Sequence, residues 1–292
     1  MATASISTSM ATESRPPEMM NTDGRLYWVD IPGGVVYCGD PATGKVATRT
    51  ADAATGSLGM CRSGELLVAA GQQLERWPAD LGLRECVVTG RMPPRPVSSR
   101  FNDGKVGPDG RFWVGTVDPQ RDRSTTGAFY GFGTAEPPML LAENLKVPNG
   151  LAWSPAGDRM VFSDSGQGRV WSLPFDRDAG PLGAAMPWLD WHRDSMGMPD
   201  GAAMDQEGCY WSCGIFASAI HRFNPQGEHI ETYRLPVSQP TMCCFGDADL
   251  RTLYVTSMTV LLDPQQRAAQ PWAGSVIAFR VDCPGCPIGA FA

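Results

Sequence analysis

The chain has 292 residues, 42% of them hydrophobic and 19% charged, and a formal net charge of −7. It holds no apolar run of about 18 residues that would cross a bilayer, and no Lys/Arg cluster that would neutralise a phosphate backbone. Membrane and nucleic-acid partners are therefore not expected, and nine irregularly spaced cysteines suit small buried hydrophobes in a reducing cytosol better than a disulfide framework.

Residues 1–22 open with "MATASISTSMATESRPPEMM", which is rich in Ser, Thr and Ala. This stretch lacks the basic start and apolar core of a secretory signal and reads as a flexible segment ahead of one domain over 23–292. From there a single pattern recurs: a turn residue, a short β-rich run, a gap and a second alternating run. The copies open with "GRLYWVDI" at Gly24, "GELLVAAG" at Gly64 and "GRFWVGTV" at Gly110, then "GDRMVFSDS" at Gly157, "GCYWSCGI" at Gly208 and "DLRTLYVTS" at Asp249. Successive starts are 40, 46, 47, 51 and 41 residues apart. Second strands follow several of them, as in "GAFYGFG", "GRVWSLPFD" and "GSVIAFRVD". Long helical periodicity is absent. A repeat of this length with several strands per copy predicts an all-β fold, a six-bladed β-propeller without an internal domain boundary.

In a propeller, the segment entering each innermost strand lies beside the central channel. Eight residues ahead of the turn glycines at 110, 157 and 208 stand Asn102, Asn149 and Asp200. Equal offsets from equivalent turns predict that these three oxygen-bearing side chains converge near the axis. The corresponding residues of the sixth and second copies are read as Thr241 and Thr55. N-G and D-G are also good turn sequences, but the shared offset favours a site. Asn and Asp oxygens suit a hard cation.

Other chemistries find little support. His192, His221 and His229 all avoid the strand-entry positions, and no G-x-S-x-G elbow, Walker loop or dinucleotide fingerprint occurs. The one C-x-x-C, Cys283–Cys286, lacks the context of a redox or zinc motif and reads as a loop. Trp153, Trp188 and Trp191 read as packing between blades rather than as a sugar-stacking surface.

The ordered set "RFNDGKVGPDGRFWVGT", "VPNGLAWSPAGDRMVFSDS", "MPDGAAMDQEGCYW" and "LPVSQPTMCCFGDADLRTLYVTS" resembles the SMP-30/gluconolactonase/LRE-like family over roughly residues 24 to 283. The resemblance implies a six-bladed propeller that binds one divalent cation in its channel and, in its enzymatic members, hydrolyses aldonolactones. By position it makes Asn149 and Asp200 metal ligands, and Arg100 and Asn102 substrate contacts. Asp200 would also take the proton from the attacking water. The family's third metal ligand is a glutamate in an N-terminal motif like G-E-G-P-x-W. Here the family spacing falls on Arg15 of "ATESRPPEMM", flanked by Glu13 and Glu18; Glu13 is favoured because an E-S-x-P order survives there. A family glutamate that helps hold substrate has no clear counterpart in "VDPQRDRSTTG", where Asp118 is the nearest acid.

The expectation is a cytoplasmic, monomeric or weakly self-associating hydrolase that opens a sugar lactone. Its expected cofactor is one divalent cation, Ca²⁺ first, with Zn²⁺, Mn²⁺, Mg²⁺ and Fe²⁺ as alternatives. A related metal-dependent esterase or phosphotriesterase is one rival. The other is a non-catalytic metal-binding propeller, which the atypical N-terminal motif favours.

Overall fold

A computed structural model describes residues 19–22, 24–83, 86–120 and 125–292. The strands fall into six sheets of mainly antiparallel, sequence-adjacent strands. Each sheet is one blade, and its first strand in sequence lies nearest the axis. These innermost strands are Met19–Thr22, Thr55–Cys61, Arg100–Val106, Pro148–Trp153, Met198–Met204 and Pro240–Gly246. Each packs beside the next, and the last packs beside the first, so the ring closes into a six-bladed propeller. The first blade takes in Met19–Thr22, which pairs with Arg25–Asp30 and lies within the segment that the sequence places ahead of the domain. Among the described residues, no helix is long and apolar enough to cross a membrane.

The sequence repeat maps onto the second strand of each blade, where the pattern is strongest because both faces are covered. Arg25–Asp30, Leu66–Ala70, Phe112–Val117, Arg159–Asp164, Tyr210–Ile215 and Thr252–Ser257 are almost wholly buried. By contrast, the outermost strands, such as Val46–Thr50, are largely exposed. The turn into the second strand needs a left-handed residue. Gly24, Gly64, Gly110, Gly157 and Gly208 supply it with φ between 71° and 84°, and Leu250 takes it in blade 6 at φ 53°. Each pair of neighbouring blades shares a hydrophobic cluster. Trp28 with Met242 and Tyr254, for instance, joins blade 1 to blade 6.

Among the described residues, blade 6 has three strands. After its last strand, Val276–Arg280, the chain crosses one end of the ring as a strap. Gly285 N–H donates to Leu250 O (2.8 Å) and Cys286 N–H to Met204 O (2.9 Å). Ala290 and Phe291 then pair in parallel with Met60 and Cys61 of blade 2. Phe291 is 1% exposed within the core between blades 2 and 3. Cys283–Cys286 belongs to this strap, and the Cys286 thiol donates to Asp205 O (3.2 Å). All nine cysteines are free.

Candidate active site

The innermost strands of blades 2 to 6 share a local irregularity. In blade 3, Phe101 pairs with Thr116 and Gly104 with Val114; in blade 4, Asn149 pairs with Ser163 and Ala152 with Val161. Blade 5 runs from Pro199–Gly214 to Ala202–Ser212, and blades 2 and 6 shift register in the same way. Each innermost strand thus carries one residue more than its partner. A bulge of this kind breaks the ladder and re-aims a side chain. Repeated at one level of the ring, it turns Asn102, Asn149 and Asp200 toward a common point.

The level in blade 2 is held by Gly56, not by Thr55. Gly56 lies at the register shift, whereas Thr55 pairs with Ala70 and is fully buried. The backbone of blade 3 approaches so closely there that a Cβ on Gly56 would lie 2.4 Å from Phe101 O. Thr241 does reach the equivalent position in blade 6, where its hydroxyl pairs with that of Thr256 (3.0 Å).

A chain of hydrogen bonds crosses three blades. Asn102 Nδ2 donates to Asn149 Oδ1 (2.7 Å) and to Pro148 O (2.9 Å). Asn149 Nδ2 donates to Asp200 Oδ1 (2.6 Å) and to Ser165 Oγ (2.6 Å). Arg100 Nη1 donates to Asn102 Oδ1 (3.0 Å) and to Phe101 O (2.8 Å). All four residues line one cavity of about 210 Å³, and Asn102, Asn149 and Asp200 are each less than a tenth exposed.

Asp118 stands apart. It is 2% exposed, and its Oδ1 accepts from Ser98 Oγ (2.7 Å) and Gln120 N–H (3.1 Å), while its neighbours Val117 and Pro119 line the cavity instead. Its Oδ1 ties its own loop to Ser98, just ahead of blade 3's innermost strand. Glu13 and Glu18 lie outside the described residues. None of the three tryptophans stacks over the site: Trp153 lines the opposite end of the channel, Trp191 donates to Gly197 O, and Trp188 packs under Arg159. His221 is a buried packing residue beside Trp191.

Two cavity residues were not picked out by sequence offset. Asp103 follows Asn102 inside the bulge, is 4% exposed, and accepts from the Gly150 N–H through Oδ2. Ser165 closes blade 4's second strand and donates to Pro199 O. An acid immediately after Asn102 was the available signal, because a bulge lets consecutive residues both approach the axis. Gly150 holds its place at φ 69°, where a Cβ would lie 2.4 Å from the Tyr210 hydroxyl. Burial pushes the Tyr210 phenol and the Cys213 thiol well above their usual pKa, so both stay neutral behind the site.

The donor set fits a hard cation. Its ligand-capable atoms are oxygens: the Asp200 carboxylate, Asn149 Oδ1, which accepts from Asn102 while Asn149 Nδ2 faces Asp200, and Asp103 Oδ1, which is buried without a hydrogen-bond partner among the described residues. Two buried carboxylates beside a single guanidinium leave a negative charge for a cation to balance. A second acidic group, Asp205, Glu207 and Cys209, is different. There Arg222 donates to Asp205 Oδ2 (2.7 Å) and Glu207 Oε2 (2.6 Å), so its charge is already met.

The family model described as SMP-30/Gluconolactonase/LRE-like region matches residues 15–259. The chain belongs to this family. This gluconolactonase-like chain is 36% identical over 267 residues to the 6-deoxy-6-sulfogluconolactonase of Pseudomonas putida, covering 91% of itself and 90% of the relative. It is 30% identical to regucalcin of Xenopus laevis, covering 89% and 88%. Among solved structures, a calcium-binding regucalcin from Agrobacterium tumefaciens matches with a TM-score of 0.89 at 23% identity, over 98% of this chain and 95% of that one. At that identity the likeness speaks for the fold.

Proposed function

We propose that the cavity hydrolyses a sugar lactone to its aldonic acid with a divalent cation held by Asn149 and Asp200, and by Glu13 from outside the described residues. The observation that carries this reading is the hydrogen-bonded run from Asn102 through Asn149 to Asp200 within one cavity. The kinship with a sulfogluconolactonase supports the lactone as substrate class. A cation bound there supplies Lewis-acid polarisation of the lactone carbonyl.

The chain's own residues do the rest. Asp200 accepts the proton of the water that attacks the carbonyl carbon. Arg100 directs N–H donors at the substrate's hydroxyls and at the oxygen on which charge develops, and Asn102, whose Nδ2 is committed to Asn149 and Pro148, offers its Oδ1 to a substrate hydroxyl. The bond between carbonyl carbon and ring oxygen breaks, and the ring oxygen leaves as an alcohol that carries one proton from water. The new carboxylic acid releases its proton at neutral pH.

That proton gives the assay. Opening of D-glucono-1,5-lactone is followed by titration above the spontaneous rate, before and after chelation with EDTA, with separate restoration by Ca²⁺, Mg²⁺, Mn²⁺ and Zn²⁺. The expected outcome is loss of the catalysed rate on chelation and its return with one or more cations. A rise in unfolding temperature should accompany the return. Full activity in the chelated protein overturns the metal role.

A further inference from the structure

The cavity has two unlike halves. At the floor, the side chains of Asn102, Asn149, Ser165 and Thr241 already spend hydrogen bonds on one another, on Asp200 and Thr256 or on backbone carbonyls, beside the charged groups of Arg100, Asp103 and Asp200. Above them the wall is Ile31, Val117, Ile215, Met258, Val260 and Leu261, with no aromatic ring among the described lining residues. Val260 is 39% exposed and Leu261 50%, in the segment after blade 6's second strand, at the edge of the cavity. These six side chains offer a hydroxyl group no strong hydrogen-bonding partner. A polyol pressed against them would strip water from its hydroxyls without replacement, whereas a hydrocarbon group would gain by leaving water.

We infer that this wall receives a hydrocarbon substituent, so that the preferred substrate is a lactone bearing an alkyl group on the ring carbon bonded to the ring oxygen. The inference rests on the lactone-hydrolase reading and goes beyond it, placing an alkyl lactone ahead of the sugar lactone as the preferred substrate of the same site. The floor holds the ester, whose chemistry is common to sugar and alkyl lactones, and the wall chooses between them. A cavity of about 210 Å³ lies below the range usual for drug-sized ligands, so a short chain is the fit.

The test compares kcat/KM for δ-valerolactone, δ-octanolactone, δ-decanolactone and D-glucono-1,5-lactone in the native protein and in the Val260→Ser/Leu261→Ser double variant. Both positions are too exposed for the change to threaten folding, and a thermal melt checks this. Each methylene buried against the wall is worth about a fourfold gain. The propyl chain of δ-octanolactone should therefore raise kcat/KM at least about tenfold over δ-valerolactone, and the double variant should cut that ratio at least about fivefold. Hydrolysis of D-glucono-1,5-lactone with less than a twofold gain from any alkyl chain overturns the inference and leaves the lactonase standing. So does an alkyl gain that the double variant leaves intact. If no lactone is opened faster than the spontaneous rate, the lactone-hydrolase reading itself fails and takes the inference with it.

Discussion

Asn102, Asn149 and Asp200 stand at one mouth of the channel; three residues further along the same strands, Lys105, Ala152 and Ala203 line a cavity at the other mouth. In a regular strand, residues three apart point to opposite faces. The extra residue of each bulge cancels one step of that alternation, so both sets face the axis. The second cavity is the larger, about 600 Å³, yet among the described residues no carboxylate lines it. Lys105 extends its ammonium to Leu151 O (3.0 Å) and Ala202 O (2.7 Å), and the C-terminal strap runs along the mouth. Size does not mark the site. What distinguishes the active mouth is the convergence of buried oxygen atoms from separate blades.

The largest test of that contrast is Asp200→Ala. It removes the only carboxylate that hydrogen-bonds Asn149 among the described residues, together with the proposed base. The expected loss in kcat/KM is at least about 10³-fold, with loss of cation-dependent thermal stabilisation in the same variant. Retained stabilisation by cation alongside lost turnover would assign Asp200 to proton transfer alone and shift the ligand role elsewhere.

At the other mouth, Phe291→Ala should act on stability without touching chemistry. The ring is 1% exposed between blades 2 and 3, and its truncation should cost about 3–5 kcal/mol. That lowers the unfolding temperature by roughly 10 °C, read by calorimetry. Well below the transition, kcat/KM should stay within about twofold of native. An activity loss at low temperature matching that of a site variant would mean that the two mouths are mechanically coupled.

These two ends were unequally legible in the sequence. The blades announced themselves because second strands buried on both faces read as short runs rich in β-branched and aromatic residues, and because a left-handed turn before them demands Gly in five copies. The cavity set followed from the same regularity: a bulge at a fixed level preserves an offset of eight residues from the turn to Asn102, Asn149 and Asp200. The offset from Gly64 falls on Gly56 rather than on Thr55, and the contact with Phe101 O admits only glycine there. Asp118, expected as a substrate contact, has its Oδ1 engaged by Ser98 and Gln120, while its neighbours Val117 and Pro119 line the cavity. The strap was invisible because "DCPGCPIGAFA" has no periodicity, and its two-residue strand finds Met60 and Cys61 far away in the chain.

The smallest effect sharpens the contrast through pH. His221 lies in blade 5 behind the strand that carries Asp200, packed edge-on against Trp191, with Met196 at the entry to that strand beside it. Burial, with a lesser contribution from His229, lowers its pKa from 6.5 to about 4 against the opposing Met196 carbonyl. The unfolded chain therefore takes up the proton first. The stability tied to neutral His221 is fully present above about pH 6.5 and drains away as pH falls toward 4, to a total of about 3 kcal/mol. His221→Gln, which cannot charge, should flatten that part of the stability curve between pH 7 and pH 4 relative to native, as measured by urea unfolding. Hydrogen exchange locates the effect. As pH falls, amides of Met198–Met204 should lose protection before those of Arg62 and Ala292, which anchor the strap. Equal pH slopes in native and variant would remove His221 from this role, and simultaneous loss at both ends would show that the ring opens as one unit rather than from its active mouth.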